Sequence, residues 1–181
     1  IIVWGATGFT GRLVVDNMAE QHVNSNLKWA VGGRNPQKLQ QMLAGRDVAM
    51  VTADSGDEAS IEALVRKTRV ILTTVGPYAR YGSSLVAACA KHGTDYCDLT
   101  GEVHWMREMI TAYQEEARAT GARIVHTCGF DSIPSDLGVY FLQKHMLSTH
   151  GVPARQIKYR PRAFSGGFSG GTIDSVIAMM E

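Results

Sequence analysis

The sequence predicts an α/β protein built on a doubly wound, mostly parallel sheet. Apolar runs of strand length alternate with stretches whose apolar residues recur at helical spacing. Six such runs are present, which is the strand number of a doubly wound fold. The 181-residue chain is 45% hydrophobic, so it can bury a core of one ordinary domain.

The elements follow in order along the chain. Residues 1–4 form a short buried strand, and the helix after them carries Leu13, Val14 and Met18 on one face. Asn35-Pro36 is a cap and first-turn pair that starts the second helix. Strands are predicted at 1–4, 28–32, 48–52, 69–75, 94–99 and 123–127, and helices at 10–22, 36–43, 60–67, 83–92, 103–120 and 135–145. On the helix 103–120, Trp105, Met109, Tyr113 and Ala117 recur every four residues, which indicates core packing.

Charge and cysteine usage exclude several classes of function. Eighteen basic against seventeen acidic residues give a net charge of +1, which argues against a nucleic-acid or anionic-membrane binder. No apolar run approaches the roughly 18–20 residues of a membrane span. Cys89, Cys97 and Cys128 have neither the number nor the spacing of a disulfide framework or a metal site. We therefore expect a reducing, cytoplasmic location.

A glycine-rich turn carries the main functional signal. Gly5-Ala6-Thr7-Gly8-Phe9-Thr10-Gly11 stands directly between the first strand and the first helix. Glycines at this spacing allow a tight turn and a close approach of the backbone to a pyrophosphate, whose charge faces the start of the helix. The alternative is a plain glycine-rich turn. The context favours dinucleotide binding.

The end of the second strand indicates which dinucleotide is bound. An NAD site usually has an acidic residue there, whereas an arginine accommodates a 2′-phosphate. This strand ends at Arg34, and no acidic residue lies between Glu20 and Asp47. We expect NADP(H) rather than NAD, with a solvated surface arginine as the alternative.

Two further strand ends complete the predicted cofactor site. Asp54 and Ser55 follow the third strand, where they could bind the adenine, although Asp is also an ordinary turn residue. Val75-Gly76-Pro77-Tyr78 ends the fourth strand, where the ribose and nicotinamide normally pass.

Polar residues cluster after the fifth and sixth strands. Asp98, Thr100, Gly101 and Glu102 form one group, and Asp131, Ser132 and Asp136 form the other. Because the carboxyl ends of parallel strands face the ligand crevice, we name Glu102, Asp131 and Ser132 as candidate catalytic residues. For each acid, binding to loop amides or helix capping is an equal alternative. His126 is interpreted as a core histidine.

One pattern favours a different enzyme class. Tyr140 and Lys144 form Y-x-x-x-K, with Thr127 upstream, which is similar to the catalytic set of extended short-chain dehydrogenases. Thr stands where Ser is usual, and the fourth strand ends in Val75-Gly76-Pro77 rather than an Asn-rich turn. A helix with Tyr140 packed inward and Lys144 solvated also explains the pair, and this is the interpretation that we favour.

Several strings together resemble the saccharopine dehydrogenase-like oxidoreductases, especially the bacterial trans-acting enoyl reductases. They are 4–11, 33–35, 72–78 with 80–82, 93–96, 98–102 and 128–137. The resemblance implies an NADP-binding Rossmann domain followed by an α+β domain that completes the active site. It places the glycine turn at 5–11, the 2′-phosphate residue at Arg34, and loops beside the nicotinamide at Gly76-Pro77, Gly101-Glu102 and 129–136.

The character of the chain changes near residue 152. Apolar and basic residues alternate along 157–164, which predicts a strand with one solvent-exposed face that bears Lys158, Arg160 and Arg162. A glycine-rich stretch and an apolar helix follow. We expect residues 1–152 to form the NADP-binding domain and 153–181 to begin the second domain. The chain opens inside an apolar run and closes without a stop signal, so both ends are expected to continue.

The expected function is therefore NADP(H)-dependent hydride transfer. The resemblance implies a small-molecule or carrier-bound acyl substrate, and the basic segment 157–164 is a candidate contact for a phosphopantetheine or acidic carrier. A non-catalytic, NADP-responsive regulator is the alternative from another class. Self-association into a homo-oligomer is left open.

Overall fold

The predicted doubly wound sheet is confirmed by the computed structural model, which describes residues 1–23, 25–163, 165, 167 and 170–180. Six parallel strands lie in the order β3-β2-β1-β4-β5-β6. Their bounds are β1 Ile2–Trp4, β2 Ala30–Gly33, β3 Ala49–Thr52, β4 Val70–Thr73, β5 Asp95–Cys97 and β6 Ile124–Val125. The order reverses between β1 and β4, which places a ligand crevice at their carboxyl ends.

Eight helices accompany the sheet in the described residues. They are α1 Phe9–Gln21, α2 Pro36–Leu43, α3 Glu58–Val65, α4 Tyr78–Tyr81, α5 Ser83–His92, α6 Val103–Thr120, α7 Ile133–His150 and α8 Gly170–Met180. The predicted bounds of α2, α5 and α6 are confirmed. The short helix α4 was not predicted.

Local signals explain why the ends of these helices were predictable. The Asn35 side chain accepts a hydrogen bond of 2.9 Å from the Lys38 amide, and Pro36 occupies the first turn of α2. Gly93 and Gly121 adopt left-handed conformations directly after α5 and α6. A left-handed residue ends a helix, and glycine adopts this conformation without steric cost.

The core lies on both faces of the sheet. On one face Trp4, Ile71 and Trp105 pack together with helices α3, α5 and α6. On the other face Val3 and Val31 pack against α1 and α2. Trp105, Met109 and Ala117 are buried and Tyr113 is partly buried, so the packing role predicted for this stripe of α6 is confirmed. The core thus holds the strand ends that carry the functional loops.

The prediction of a strand at 157–164 is wrong for its described part. Residues 157–163 form no strand, and residue 164 lies outside the described residues. An extended segment becomes a strand only when a neighbouring strand satisfies its amides and carbonyls, and the six-stranded sheet gives it no such neighbour. The expected domain boundary near 152 stays a prediction. At that point α7 ends at His150, followed by left-handed Gly151.

The last two helices differ from the rest in burial. No residue of α7 is buried, although Leu137, Tyr140 and Phe141 are large and apolar.

In the part of the chain that the structure describes, no helix combines the length and apolar character needed to cross a membrane.

An ion pair joins the beginnings of β5 and β6. The guanidinium of Arg123 contacts both carboxylate oxygens of Asp95, and the Arg123 amide donates to Asp95 Oδ1 at 2.9 Å. The hydrogen bond from Arg123 lowers the pKa of Asp95 below its ordinary value. This pair therefore stabilises the fold above the ordinary pKa of Asp and ceases to do so as the pH falls through the lowered pKa.

We expect Asp95→Asn to destabilise the protein by up to about 1 kcal/mol at neutral pH, because the pair is partly exposed. The difference from wild type should shrink as the pH falls toward the folded-state pKa, where the native carboxylate also loses its charge. Urea unfolding at several pH values measures this. Glu115→Gln, which breaks a fully exposed pair with Arg118, is the control. A difference for Asp95→Asn that does not change with pH would contradict the assignment.

Candidate active site

The glycine turn lies at the carboxyl end of β1, where the strand order reverses. The Gly5 and Ala6 amides donate to the Gly32 carbonyl at 3.0 and 3.2 Å, which ties the turn to the end of β2. Gly8 is extended at the start of α1, and its amide donates to the Gly5 carbonyl at 3.0 Å. The first amides of the 13-residue helix α1 therefore have no partner within the helix and carry its positive dipole end.

Two glycines of the turn are required by the space around them. A Cβ on Gly11 would lie 2.2 Å from the Gly5 carbonyl oxygen, so a side chain there would push α1 away from the turn. Gly5 has a φ of +86°, and a Cβ there would lie 2.7 Å from Val75. Gly11 brings the helix backbone against the turn, and Gly5 brings the turn against the side chains of Thr74 and Val75. The turn is thus a cradle in which the first amides of α1 are accessible to a phosphate.

A cavity of about 330 Å³ opens over this cradle. Its wall includes most of the predicted cofactor residues, and Arg34 stands on it as an exposed side chain at the end of β2. The predicted residues that line it are Gly5, Thr7, Gly8, Phe9, Thr10, Arg34, Ser55, Val75 and Gly76. The residues present thus fit a dinucleotide, with backbone amides for the pyrophosphate and a guanidinium for a 2′-phosphate.

Six predicted cofactor residues stand outside this wall. Tyr78 and Gly101 line a neighbouring cavity instead, and the other four line neither. Ala6 is fully buried beneath the turn, and Gly11 packs against it. The carboxylate of Asp54 accepts a hydrogen bond of 3.0 Å from the Gly56 amide, as in an ordinary turn. Pro77 is buried and follows a cis peptide bond from Gly76. These four residues shape the cavity rather than line it.

A second cavity of about 280 Å³ adjoins the first. The two share Thr10, Thr74, Gly76 and Gly171. Beyond these, the second cavity is lined by Tyr78, Leu99, Gly101, Glu102, Asp131, Thr172, Ser175 and Val176. The strand ends of β4 and β5 therefore bring the predicted residues Tyr78, Gly101, Glu102 and Asp131 to one place next to the cofactor cavity.

Glu102 is buried to 99% and has three hydrogen-bond donors. Its carboxylate accepts from the Tyr78 amide at 2.9 Å, the Ala79 amide at 2.8 Å and the Ser175 hydroxyl at 3.0 Å. The two amides open the short helix α4, so the negative charge meets unpaired backbone donors. Glu102 thus connects the loop after β5 to the loop after β4 and to α8.

Asp98 is a second buried carboxylate at the same edge. It accepts from the Tyr96 hydroxyl at 2.8 Å, from the Thr100 and Thr127 amides at 3.1 and 2.9 Å, and lies 2.6 Å from His126 Nδ1. Thr127 has a φ of 60°. The contacts hold the loops after β5 and β6 together.

His126 belongs to the core, as the sequence indicates, yet only one ring nitrogen is bonded. Its side chain is 8% exposed and packs edge-to-face on Trp105, with ring centres 5.2 Å apart. The buried Nε2 atom has no hydrogen-bond partner among the described residues. Asp98 accepts hydrogen bonds from its other partners, so Nδ1 is assigned as the donor in this pair.

Burial raises the pKa values of the two tyrosines around these carboxylates. Desolvation and the charge of Asp98 raise the pKa of Tyr78, and the same two causes raise the pKa of Tyr96 well above its ordinary value. Both phenols therefore stay protonated at neutral pH and act as hydrogen-bond donors. The Tyr78 hydroxyl donates to the Thr73 carbonyl at 3.4 Å.

Other candidate residues lie outside the two cavities. Ser132 precedes α7 without making a side-chain cap, and Asp136 lies in the first turn of that helix. Tyr140 is 65% exposed on α7, and neither it nor Lys144 is among the residues that line the cavities. The structure thus does not bring the Y-x-x-x-K pair to the predicted cofactor site.

Two polar residues that make hydrogen bonds at the site are not among the residues predicted from the sequence. Thr74 lines both cavities, and its hydroxyl donates to the Gly5 carbonyl at 3.2 Å. Its position directly after β4 could have identified it from the sequence, because the ends of parallel strands line the ligand crevice. Ser175 lies 73 positions after Glu102 in the chain, and no local sequence pattern predicts a contact between them.

Comparison with known proteins agrees with this geometry. Residues 1–125 match the family model of the saccharopine dehydrogenase NADP binding domain. The chain is 48% identical over 149 residues to the trans-acting enoyl reductase of Mycobacterium tuberculosis strain H37Rv, covering 80% of the chain and 35% of that protein. It is 44% identical over 179 residues to the trans-acting enoyl reductase of Mycobacterium ulcerans, covering 96% and 42%. The matches therefore span about two fifths of these relatives' length.

A solved structure shares the fold. Apo saccharopine dehydrogenase (L-Glu forming) from Saccharomyces cerevisiae superposes with a TM-score of 0.63 at 19% identity, over 83% of this chain and 31% of that one. The family resemblance drawn from the sequence strings is confirmed by these findings. The chain belongs to the saccharopine dehydrogenase family, as one of its NADP-binding domains.

Proposed function

We propose that this chain is the cofactor-binding part of an NADPH-dependent oxidoreductase that reduces the carbon–carbon double bond of an enoyl thioester. The observation that carries the proposal is the pair of adjoining cavities. One holds the phosphate cradle and Arg34, the other holds buried and exposed carboxylates, and Gly76 lies on both. A cofactor that passes over Gly76 would present its reactive end to the second cavity.

The cofactor side of the proposal assigns a role to each part of the first cavity. The pyrophosphate binds the amides of Phe9 and Thr10 at the start of α1, Arg34 binds the 2′-phosphate, and Ser55 lies beside the adenosine. Val75 and Gly76 contact the nicotinamide half. NADPH, when bound, supplies the hydride.

The substrate side distinguishes between the two carboxylates of the second cavity. The reduction adds a hydride at one carbon of the double bond and a proton at the other. Glu102 is fully engaged by three donors, whereas Asp131 is exposed on the cavity wall. We therefore assign proton delivery to Asp131, which takes up a proton from solvent and passes it to the carbon directly or through one water, and support of the cavity wall to Glu102. Ser132, next to Asp131, remains a candidate for contact with the substrate.

The acyl class of the substrate rests on the relatives and on the exposed apolar surface. The similar mycobacterial proteins are named trans-acting enoyl reductases. Helix α7 buries none of its apolar residues, and α8 forms part of the second cavity. We propose that residues 153–181 begin a second α+β domain, which covers α7 and closes the substrate cavity. A carrier-bound acyl chain would then enter from the side of Lys158, Arg160 and Arg162.

Gly11→Ala is expected to weaken NADPH binding by about tenfold or more, equal to 1.4 kcal/mol. The added Cβ would lie 2.2 Å from the Gly5 carbonyl oxygen and displace the start of α1 from the cradle. Trp4 lines the first cavity, so its fluorescence reports the titration. Gly138→Ala, on α7 with open space around its Cβ, is the matched control. Equal affinity in both variants would show that the cradle is not the phosphate site.

Arg34→Ala is expected to lower NADPH affinity about tenfold while changing NADH affinity little, because only NADPH carries the 2′-phosphate. The same fluorescence titration measures both cofactors. Arg46→Ala, which removes an exposed arginine paired with Asp16 outside this cavity, controls for loss of positive charge. A parallel loss for both cofactors would contradict the 2′-phosphate assignment.

Asp131→Asn is expected to lower turnover of a short trans-2-enoyl thioester roughly 100-fold, because the proton donor is lost, with NADPH affinity retained. The decrease of NADPH absorbance measures turnover. Asp136→Asn is the matched control on the following helix. Wild-type turnover in Asp131→Asn would remove this residue from the mechanism. Binding of NADPH without turnover of any enoyl thioester would favour the regulatory alternative.

A further inference from the structure

Helix α8 forms one wall of the second cavity, yet it has few contacts of its own. Its large side chains Ile173, Val176, Ile177 and Met180 are each about half exposed or more. Among the α8 side chains that the structure describes, only that of Ser175 is not exposed. Helices with so little buried surface have low local stability, so single polar contacts decide their position.

Ser175 makes one such contact at the junction of the two cavities. Its hydroxyl donates to Glu102 Oε1 at 3.0 Å, and its oxygen lies 3.5 Å from where a Cβ on Gly76 would be. The same carboxylate holds the amides of Tyr78 and Ala79. One buried charge therefore fixes both α8 and the loop over which the cofactor is proposed to pass.

The two cavities also share a wall residue from α8 itself. Gly171, in the first turn of α8, lines both of them. A molecule that fills the first cavity therefore contacts both the Gly76 loop and the start of α8. Whatever binds preferentially to the arrangement with α8 in place also stabilises that arrangement.

We propose that Ser175 and Glu102 are positioning residues that couple cofactor binding to the ordering of α8 as the wall of the substrate cavity. This inference rests on the proposed function, because it takes NADPH as the molecule in the first cavity. Glu102 transmits the position of the Gly76–Ala79 loop, and Ser175 attaches α8 to that carboxylate. Neither residue takes part in hydride or proton transfer.

Hydrogen exchange measured by mass spectrometry tests the coupling. In wild type, saturating NADPH is expected to slow amide exchange in residues 170–180 by about tenfold, equal to 1.4 kcal/mol of added local stability. Ser175→Ala should abolish most of this protection, and Ser175→Thr, which keeps the hydroxyl, should restore it. Ser148→Ala, which removes an exposed helix hydroxyl from α7, should behave as wild type. Each variant is measured at its own saturating NADPH concentration.

The outcomes separate this inference from the proposed function. If wild type binds NADPH but exchange in 170–180 does not change, the coupling is wrong and the cofactor assignment stands. If Ser175→Ala keeps the protection, the Ser175 hydroxyl does not attach α8. If wild type does not bind NADPH, both proposals are overturned. Protection that is lost in Ser175→Ala and kept in Ser175→Thr would support the hydroxyl contact. A role in packing alone would not make protection depend on the hydroxyl.

Discussion

The functional edge of the molecule depends on a charge that is buried where two strands end. Asp98 follows β5, and its carboxylate holds the Thr100 amide of its own loop and the Thr127 amide of the loop after β6. A buried carboxylate is costly unless donors replace its water, and here Tyr96 and His126 complete the set. With Asp98 in place, Glu102 comes to lie against the start of α4. The sheet supplies the scaffold, and these carboxylates arrange the loops upon it.

The helix ends that the sequence predicts correctly are determined by residues at those ends. Asn35 caps α2 with its own side chain, and Gly93 and Gly121 end their helices through their own backbone conformation. The segment 157–163 shows the limit of this reasoning. Its alternating pattern is that of a strand, but a strand also needs a hydrogen-bonding neighbour, which a pattern within one segment cannot supply. The short helix α4 was missed because its two leading amides are satisfied by Glu102, 23 or 24 positions away.

The two halves of the candidate site also differ in whether they depend on local sequence or on distant contacts. The phosphate cradle is made of backbone, and glycine spacing between a strand and a helix predicts backbone geometry directly. The predicted catalytic side is made of side chains whose direction depends on distant partners. Glu102 and Asp131 were predicted as equals, yet one is enclosed by three donors and the other faces the cavity. Asp54, predicted at the adenine, bonds an amide of its own turn instead.

The loop after β6 contains a strained residue, Thr127. A β-branched residue with a φ of 60° lies in the left-handed region, at a cost of about 1–2 kcal/mol. Its amide bond to Asp98 and its hydroxyl bond of 2.7 Å to the His126 carbonyl hold it there. The loop that leads to Asp131 therefore keeps a backbone conformation that is unfavourable on its own and that these hydrogen bonds offset. Loss of the Asp98 contact would remove part of that compensation, so the position of the Asp131 loop depends on a carboxylate that lies outside both cavities.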